Sequence, residues 1–130
     1  MVSIHHIALG ASDVRLVAQF YRDHFGLEEV EQHLHPDGSV RSIWLAAGET
    51  VLMIEYIETP PQDVPLMRQG PFLLAFQISE DQREQTRSDF AARGTLMESE
   101  SPWTMYFRDP EGNRVAVTHY PHRSPMGDAK

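Results

Sequence analysis

The segment from Trp103 to Arg108 carries side chains that could recognise a ligand. Neighbouring residues of an extended strand point to opposite faces, so Tyr106 and Arg108 share one face while Trp103 points to the other. One face belongs to the core, and the other is available to bind an aromatic or anionic molecule, with Arg108 clamping the anion. The alternative is that Arg108 lies in water at the strand end and pairs with Asp109 or Glu111.

Metal or acid–base chemistry in this chain would have to come from histidine and carboxylate side chains. The sequence has no cysteine, which excludes disulfides, thiolate metal sites and a cysteine nucleophile. Two histidine pairs, His33 with His35 in "HLHPDG" and His119 with His122 in "HYPH", could form surface metal sites. Scattered loop histidines are commonly inert, so a purely structural role is the alternative.

The bulk composition is that of a single soluble domain. The chain has 130 residues, of which 41% are hydrophobic and 23% charged. Its net charge of −8 disfavours binding to nucleic acid and to anionic membranes. No apolar run approaches the ~20 residues that span a bilayer, and the N-terminus lacks the pattern of a signal peptide. We therefore expect a cytoplasmic protein with no nucleic-acid or membrane partner.

The polar stretch from Asp109 to Asn113, "DPEGN", predicts a tight hairpin turn. Asp and Asn accept turn hydrogen bonds, Pro fixes φ, and Gly supplies a positive φ. Apolar strand candidates flank it, at Thr104–Arg108 and Arg114–Tyr120. This turn is interpreted as architecture and not as a site.

An internal repeat organises the chain. "HIALGASD", His6–Asp13, is similar to "LLAFQISE", Leu73–Glu80, and each is an apolar strand that ends in a helix-start signal. The helix after the first copy has an apolar face and ends at Gly26, and the helix after the second copy ends at Gly94. The predicted helix core positions are Leu16, Val17, Phe20 and Tyr21 in the first copy, and Phe90 and Ala91 in the second, where Ser79 and Gln82 form a capping box.

Three strands are predicted after each helix. They are Glu28–His33, Ser39–Ala46 and Thr50–Ile57 in the first copy, and Thr95–Glu98, Thr104–Arg108 and Arg114–Tyr120 in the second. "HPDGS", His35–Ser39, and Ala47-Gly48-Glu49 are the predicted turns of the first copy. A proline-rich linker, Glu58–Pro71, separates the copies.

The order β-α-β-β-β, used twice, predicts an α+β fold of two modules with mixed sheets and a helix on one face of each. Alternation along the first strand predicts that Ile7 and Leu9 face the helix while His6 and Ala8 face a cavity. The predicted domain spans residues 1–125, with module 1 at about 1–58, module 2 at about 71–120 and a flexible tail at 121–130.

Two segments resemble the vicinal oxygen chelate superfamily, which includes glyoxalase I, extradiol dioxygenases, and fosfomycin- and bleomycin-resistance proteins. "HHIALGASDVRLVAQFYRDHFGL" is similar to the family's opening strand and helix, and "FRDPEGNRVAV" to its closing hairpin. The resemblance implies a cupped mixed β-sheet built by both modules, with the helices on its outer face. It also implies a homodimer.

The resemblance further implies four metal-ligand positions. Family enzymes usually hold a divalent metal such as Fe, Zn, Ni or Mn with His and Glu side chains on matching strands of the two modules. Carried over position by position, these ligands fall on His6, Glu55, Leu73 and Ala116. Leucine and alanine have no lone pairs, so only the first two positions could ligate a metal.

A catalytic metal generally takes three protein ligands, so His6 and Glu55 would need a third donor. His5, His33, His35, His119 and His122 are the candidates. Of these, His119 is predicted to point to the face opposite Ala116. His6 could instead be a buried structural histidine. Glu55 could be a solvated strand residue, or a general base paired with His6.

Three functions follow from these observations. In the first, a protein without the complete metal site, and with no cofactor, binds a small organic molecule against Tyr106, Trp103, Leu73, Ala116 and Arg108. The second is a metal-dependent enzyme, namely a lyase, isomerase or dioxygenase, that uses His6, Glu55 and another donor. The third is a non-catalytic dimeric module.

Overall fold

The structure is a computed structural model that describes residues 1–122. The chain divides into two compact units between Gln62 and Asp63. Most of the predicted tail, from residue 123 onward, lies outside the described residues. None of the helices within residues 1–122 has the length and apolar character needed to cross a membrane.

Module 1 is a four-stranded sheet with one helix. Its elements are β1 (His6–Ala11), α1 (Val14–Phe25), β2 (Glu28–Leu34), β3 (Val40–Ala47) and β4 (Thr50–Tyr56). The strand order is β1-β4-β3-β2, with β1 parallel to β4 and the other pairs antiparallel. The α+β class and the predicted order of elements are confirmed for this module.

The helix α1 begins and ends where its sequence signals predict. The Asp13 carboxylate accepts a hydrogen bond from the Leu16 backbone N–H at 3.1 Å, and Gly26 ends the helix with φ at 66°. Val17 and Tyr21 are fully buried, as predicted, whereas Leu16 is 53% exposed. Leu16 was therefore wrongly assigned to the core, because it lies about 100° around the helix from Val17.

The two faces of the module 1 sheet separate as the alternation predicted. Ile7 pairs with Leu52 and Leu9 with Ile54, and both β4 residues are at most 2% exposed. Since α1 packs on β3 and β4, this face is the one that the helix covers. His6 and Ala8 point to the opposite face, which we call the helix-free face of module 1.

Module 2 repeats the same order. Its elements are β5 (Leu74–Gln77), a 3₁₀ turn (Glu80–Gln82), α2 (Arg83–Ala92), β6 (Ser99–Glu100), β7 (Thr104–Arg108) and β8 (Arg114–Thr118). The strand order is β5-β8-β7-β6, with β5 parallel to β8. The second βαβββ unit is therefore confirmed.

The helix α2 buries one side chain against its sheet. Phe90 is 2% exposed and its ring lies 4.6 Å from the ring of Phe107, centroid to centroid. Ala91 was predicted as a second core position, but it is exposed because it lies one residue further around the helix. The predicted capping box is present, with the Ser79 N–H donating to the Gln82 side chain at 2.8 Å.

One strand was misplaced by the sequence analysis. The predicted strand Thr95–Glu98 is absent from the described elements, and β6 follows it at Ser99–Glu100. The Thr95 N–H is occupied by the Phe90 carbonyl at 2.9 Å, which ends α2 and delays sheet pairing. The ends of the other five strands predicted after the helices lie within two residues of the observed ones.

Both predicted polar turns form as hairpins. In the β7–β8 turn, the buried Asp109 carboxylate accepts the N–H groups of Glu111 and Asn113, each at 2.9 Å, and Gly112 adopts a φ of 94°. In the β2–β3 turn, the Asp37 carboxylate accepts the Ser39 N–H at 2.9 Å. The architectural interpretation of "DPEGN" is therefore confirmed.

Candidate functional site

The helix-free face of module 1 carries both residues on which the resemblance places first-module ligands. His6 is on β1 and Glu55 on β4, and strand alternation points both side chains to this face. His6 pairs with Val51, however, and Glu55 pairs with Gly10. The two residues are thus four positions apart along parallel strands, about 13 Å. The register does not bring this imidazole and this carboxylate together.

The immediate partners of His6 and Glu55 differ. The exposed His6 ring meets the His5 ring, with 3.0 Å between their Nδ1 atoms. The Glu55 carboxylate accepts a hydrogen bond from the buried Ser42 hydroxyl at 2.6 Å. The Ser42 hydroxyl oxygen in turn accepts a hydrogen bond from the Trp44 indole N–H, also at 2.6 Å. The half-buried carboxylate of Glu55 therefore belongs to a structural chain of three polar groups.

The internal repeat gives an independent test of the four ligand positions. His6 corresponds to Leu73 in the repeat, so Ala8 corresponds to Ala75. Ala75 pairs with Ala116, and Ala8 pairs with Met53. The module 1 position that corresponds to Ala116 is thus Met53, two residues before Glu55.

These positions do not fit the metal centre that the resemblance implies. By register they hold one imidazole, His6, together with the side chains of Met53, Leu73 and Ala116. A single imidazole with a thioether and two aliphatic groups is a poor donor set for the divalent metals that imidazole and carboxylate ligands usually hold. Within residues 1–122, no group of three His, Asp or Glu side chains is close enough to hold a metal ion.

The other histidines are engaged locally. His33 lies 3.1 Å from Glu31, and the His35 ring packs edge-on against Tyr56 at 5.3 Å. His119 is 3% exposed, and Arg83 of α2 approaches its Nε2 atom to 3.0 Å. A guanidinium only donates, so Nε2 accepts and Nδ1 carries the proton, which it shares with the His122 carbonyl. Because it contacts α2, His119 lies on the helix side of its sheet, opposite Ala116, as predicted.

The helix-free face of module 2 includes Tyr106 and Arg108, as the alternation predicted. Tyr106 is half-buried and pairs directly with Ala116. Trp103 precedes β7, and its ring contacts that of Tyr120, with 5.4 Å between the ring centroids. Leu73, at the start of this sheet, is 36% exposed. Of the two predicted aromatic contacts, Tyr106 is the one that lies on a strand and pairs with Ala116.

Arg108 is occupied by the protein itself. Its guanidinium contacts Glu98 at 2.9 Å and donates to the carbonyls of Val64, at 2.6 Å, and Gly112, at 2.8 Å. Arg108 forms a structural ion pair, as one of the two interpretations predicted, but its partner is Glu98 and not Asp109 or Glu111. These bonds attach the linker to the β7–β8 hairpin.

Sequence analysis missed Arg114, which lies on the same face two residues before Ala116. Arg114 is 9% exposed, and its guanidinium carbon lies 4.9 Å from the centre of the Tyr106 ring. Its position was available from strand alternation, because residues two apart share a face. Nothing in the sequence indicates that the Arg114 side chain is buried, because arginine is usually exposed.

Each module also has an open cleft at the carboxyl end of its parallel strand pair. The cleft of module 1 has a volume of about 720 Å³ and includes Asp13, His35 and Tyr56. The cleft of module 2 has a volume of about 940 Å³ and includes Arg83 and His119. None of the four ligand positions lines either cleft.

Comparison with known proteins identifies the family. The family model described as "Glyoxalase/Bleomycin resistance protein/Dioxygenase superfamily" matches residues 3–117. The chain therefore belongs to this superfamily. A comparison with curated protein sequences gave no match.

Solved structures of the superfamily share the fold. A lactoylglutathione lyase from Agrobacterium tumefaciens is 28% identical, with 91% of this chain and 93% of that chain covered and a TM-score of 0.68. The fosfomycin resistance protein FosX from Listeria monocytogenes, solved with Mn(II) and sulfate, is 19% identical, with 92% and 93% covered and a TM-score of 0.72. A glyoxalase family protein from Enterococcus faecalis is 22% identical, with 90% and 97% covered and a TM-score of 0.74.

Proposed function

We propose that this chain binds a small organic molecule on the helix-free faces of its sheets, without the complete four-ligand metal site of its superfamily. One observation carries the proposal: the strand register places Met53 where module 2 has Ala116, so His6 is the only imidazole or carboxylate at the four corresponding positions. Apolar residues at those positions favour ligand contacts over metal coordination.

The chemistry of both faces supports a binding role. In module 1, Ala8 and Met53 form an apolar pair beside the exposed His6. In module 2, Leu73 and Ala116 lie on the face that Tyr106 shares. Apolar floors with a few fixed polar groups are typical of small-molecule sites. In this role the polar groups orient the ligand and the apolar groups exclude water from it.

A metal-dependent enzyme is the second candidate, favoured by the 28% identity to a lactoylglutathione lyase. His6 and Glu55 would then be ligands or acid–base groups, together with a further donor. Such a centre needs the His6 imidazole to leave its contact with His5, and Glu55 to leave Ser42. A lyase, isomerase or dioxygenase would be the reaction class.

Metal analysis separates the two candidates. The protein is purified without chelator, and bound Fe, Zn, Ni and Mn are measured in the wild type, in His6→Ala and in the neighbouring control His5→Ala. We expect substoichiometric metal in all three proteins. Stoichiometric metal that is lost in His6→Ala but retained in His5→Ala would contradict the proposal and favour the enzyme.

Ligand screening tests the binding role itself. Aromatic and planar organic molecules are added to the metal-free protein, and the melting temperature is measured. A ligand at one hundred times its Kd stabilises the native state by about 2.7 kcal/mol, which is readily detected. If no such molecule raises the melting temperature, the third candidate, a non-catalytic module, is favoured.

We further propose that the protein is a cytoplasmic homodimer. The strand β2 is the outer strand of its sheet, and Val30 and Leu34 on it are 52% and 53% exposed. An unpaired edge with exposed apolar residues is a favourable place for a second copy to pair. Light scattering coupled to size-exclusion chromatography tests this, and a monomeric mass at all concentrations would contradict it.

A further inference from the structure

We propose that the ligand is a small organic oxyanion, such as a carboxylate, and that the Arg114 guanidinium binds its charged end. The inference rests on the proposed binding function and names its ligand class. The observation behind it is that the Arg114 guanidinium, on the helix-free face of module 2, has N–H donors that the protein does not use.

Arg114 is buried, yet only weakly bound by the protein. Its side chain is 9% exposed, and a guanidinium has five N–H donors. Over the described residues 1–122, its hydrogen bonds are one to Glu98 and one to the Leu66 carbonyl, both at 3.4 Å. Within residues 1–122, no nitrogen of Arg114 is both buried and without a partner, so the donors that the protein leaves unused reach the surface. An oxyanion arriving there can accept two parallel N–H bonds from the guanidinium.

The carboxylate of Glu98 does not satisfy Arg114, because it is shared. Arg108 and Arg114 stand directly opposite each other on β7 and β8, so two like charges face one another. Glu98 contacts Arg108 at 2.9 Å and Arg114 only at 3.4 Å. Arg108 also donates to two carbonyls, so Arg114 is the guanidinium with capacity left for a ligand.

The surroundings of Arg114 define the rest of the ligand. The Tyr106 ring lies against one side of the guanidinium and holds its plane. Continuing the β5–β8 register by one residue places Leu73 opposite Arg114, and Ala116 is two residues along the same strand. Leu73 and Ala75 are exposed, so the face is open along β5. An apolar body over the exposed Leu73 and Ala75, with its oxyanion at Arg114, fits this arrangement, and the buried Ala116 lies beneath that surface.

The test compares two ligands of nearly equal size, benzoate and benzamide, of which only benzoate is charged. Isothermal titration calorimetry measures both with the full chain. We expect benzoate to bind the wild type about tenfold more tightly than benzamide, as for a charge-assisted pair. Phenylphosphonate serves as a third probe, to tell a preference for carboxylate from a preference for phosphonate.

Variants localise the effect. Arg114→Met should reduce benzoate binding about tenfold, to the level of benzamide, and leave benzamide unchanged. Arg114→Lys keeps the charge without the planar fork and should fall between the two. Arg93→Met removes the same charge from an exposed position of module 2 and should bind like the wild type. Circular dichroism and melting temperature confirm that each variant folds.

The possible failures are distinguishable. Equal affinity for benzoate and benzamide in the wild type would overturn the oxyanion inference and leave the proposed binding function standing. A preference for benzoate that survives in Arg114→Met would also overturn the inference, because the anion would then bind elsewhere. If no probe binds to a folded protein, both the inference and the proposed function are contradicted.

Discussion

The two modules share one topology but are stabilised differently. In module 1, α1 buries five residues against its sheet, whereas in module 2 the only buried residue of α2 is Phe90. The core of module 2 lies instead in β7 and β8, where Met105, Phe107 and Val115 are at most 1% exposed. The same strand order can thus be supported by helix packing in one copy and by a central strand pair in the other.

The modules differ again on their helix-free faces. Module 1 has a chain of neutral donors, in which Trp44 and Ser42 lead to Glu55. Module 2 has two opposed guanidinium groups that share Glu98. One face stabilises a negative charge and the other retains a positive one. An internal repeat can therefore preserve backbone geometry while its two copies acquire opposite chemistry.

The largest expected effect tests the asymmetry of the helices. Phe90→Ala should destabilise the protein by about 3–5 kcal/mol, because it removes the only buried side chain of α2 and leaves a cavity beside Phe107. Val17→Ala in α1 should cost about 1–3 kcal/mol, since other buried residues keep that helix in place. Urea denaturation measures both.

Hydrogen exchange gives the local readout of the same comparison. In Phe90→Ala the amides of α2 should lose protection before those of α1. Leu16→Ala, at an exposed position of α1, serves as the control with little expected effect. If Phe90→Ala costs no more than Val17→Ala, α2 is anchored by contacts other than Phe90 and the comparison fails.

The two polar turns provide the next comparison. Asp109 is 4% exposed and accepts three hydrogen bonds from Glu111 and Asn113, so Asp109→Ala should cost about 2–3 kcal/mol. Asp37 is exposed, and among residues 1–122 its hydrogen-bond partner is Ser39 alone, so Asp37→Ala should have a smaller effect. Thermal denaturation of both variants checks the order, and Asp109→Asn, which keeps an acceptor, should recover part of the loss.

A smaller effect is expected from the polar chain of module 1. Ser42→Ala removes the hydroxyl between the Trp44 indole and the Glu55 carboxylate, and should cost about 1–3 kcal/mol. Trp44 fluorescence, measured in a Trp103→Phe background, reports the loss of the indole hydrogen bond. Ser88→Ala, on the exposed surface of α2, is the matched control. An unchanged stability would mean that Glu55 is free to serve a ligand.

Most of the fold could be predicted from the sequence because its signals are local. Gly26 and Gly94 mark helix ends, "DPEGN" marks a hairpin, and alternation assigns Ile7 and Leu9 to the helix side. Leu16 and Ala91 were misassigned because a helix face is set by its partner sheet as well as by its own period. The strand β6 was misplaced because Thr95 bonds to the end of α2.

The candidate site was less predictable because it depends on register. Alternation placed His6 and Glu55 on one face, but the offset of four positions between them follows only from how β1 pairs with β4. The correspondence of Met53 with Ala116 has the same origin. The weak pairing of Arg114 depends on Glu98, a residue 16 positions away in sequence. Such long-range contacts have no local signal.

The smallest expected effect comes from one exposed carboxylate in each module, Glu100 in module 2 and Asp37 in module 1, whose pKa is lowered by its neighbours. Hydrogen bonds from Arg87 and then Arg83 lower the pKa of Glu100 below its ordinary value of 4.5. Hydrogen bonds from the Ser39 hydroxyl and N–H lower the pKa of Asp37 below its ordinary value of 3.8. A lowered folded-state pKa contributes stability that is present above the unfolded-state pKa and is lost as pH falls through the folded-state value. Each contribution should therefore begin to fall at the ordinary pKa, 4.5 for Glu100 and 3.8 for Asp37, and disappear once the pH is below the lowered folded-state pKa.

Salt should separate the two acids. The partners of Glu100 are guanidinium groups, so its contribution is screened at high ionic strength. The main partner of Asp37 is the neutral Ser39, and only the smaller attraction of His35 is screened, so more of its contribution should persist. Denaturation of wild type, Glu100→Gln and Asp37→Asn, at neutral pH and along an acid series, and at low and high salt, measures both effects. Both side chains are exposed, so each change should be small. An identical salt response in the two variants would show that charge pairing does not distinguish the modules at these positions.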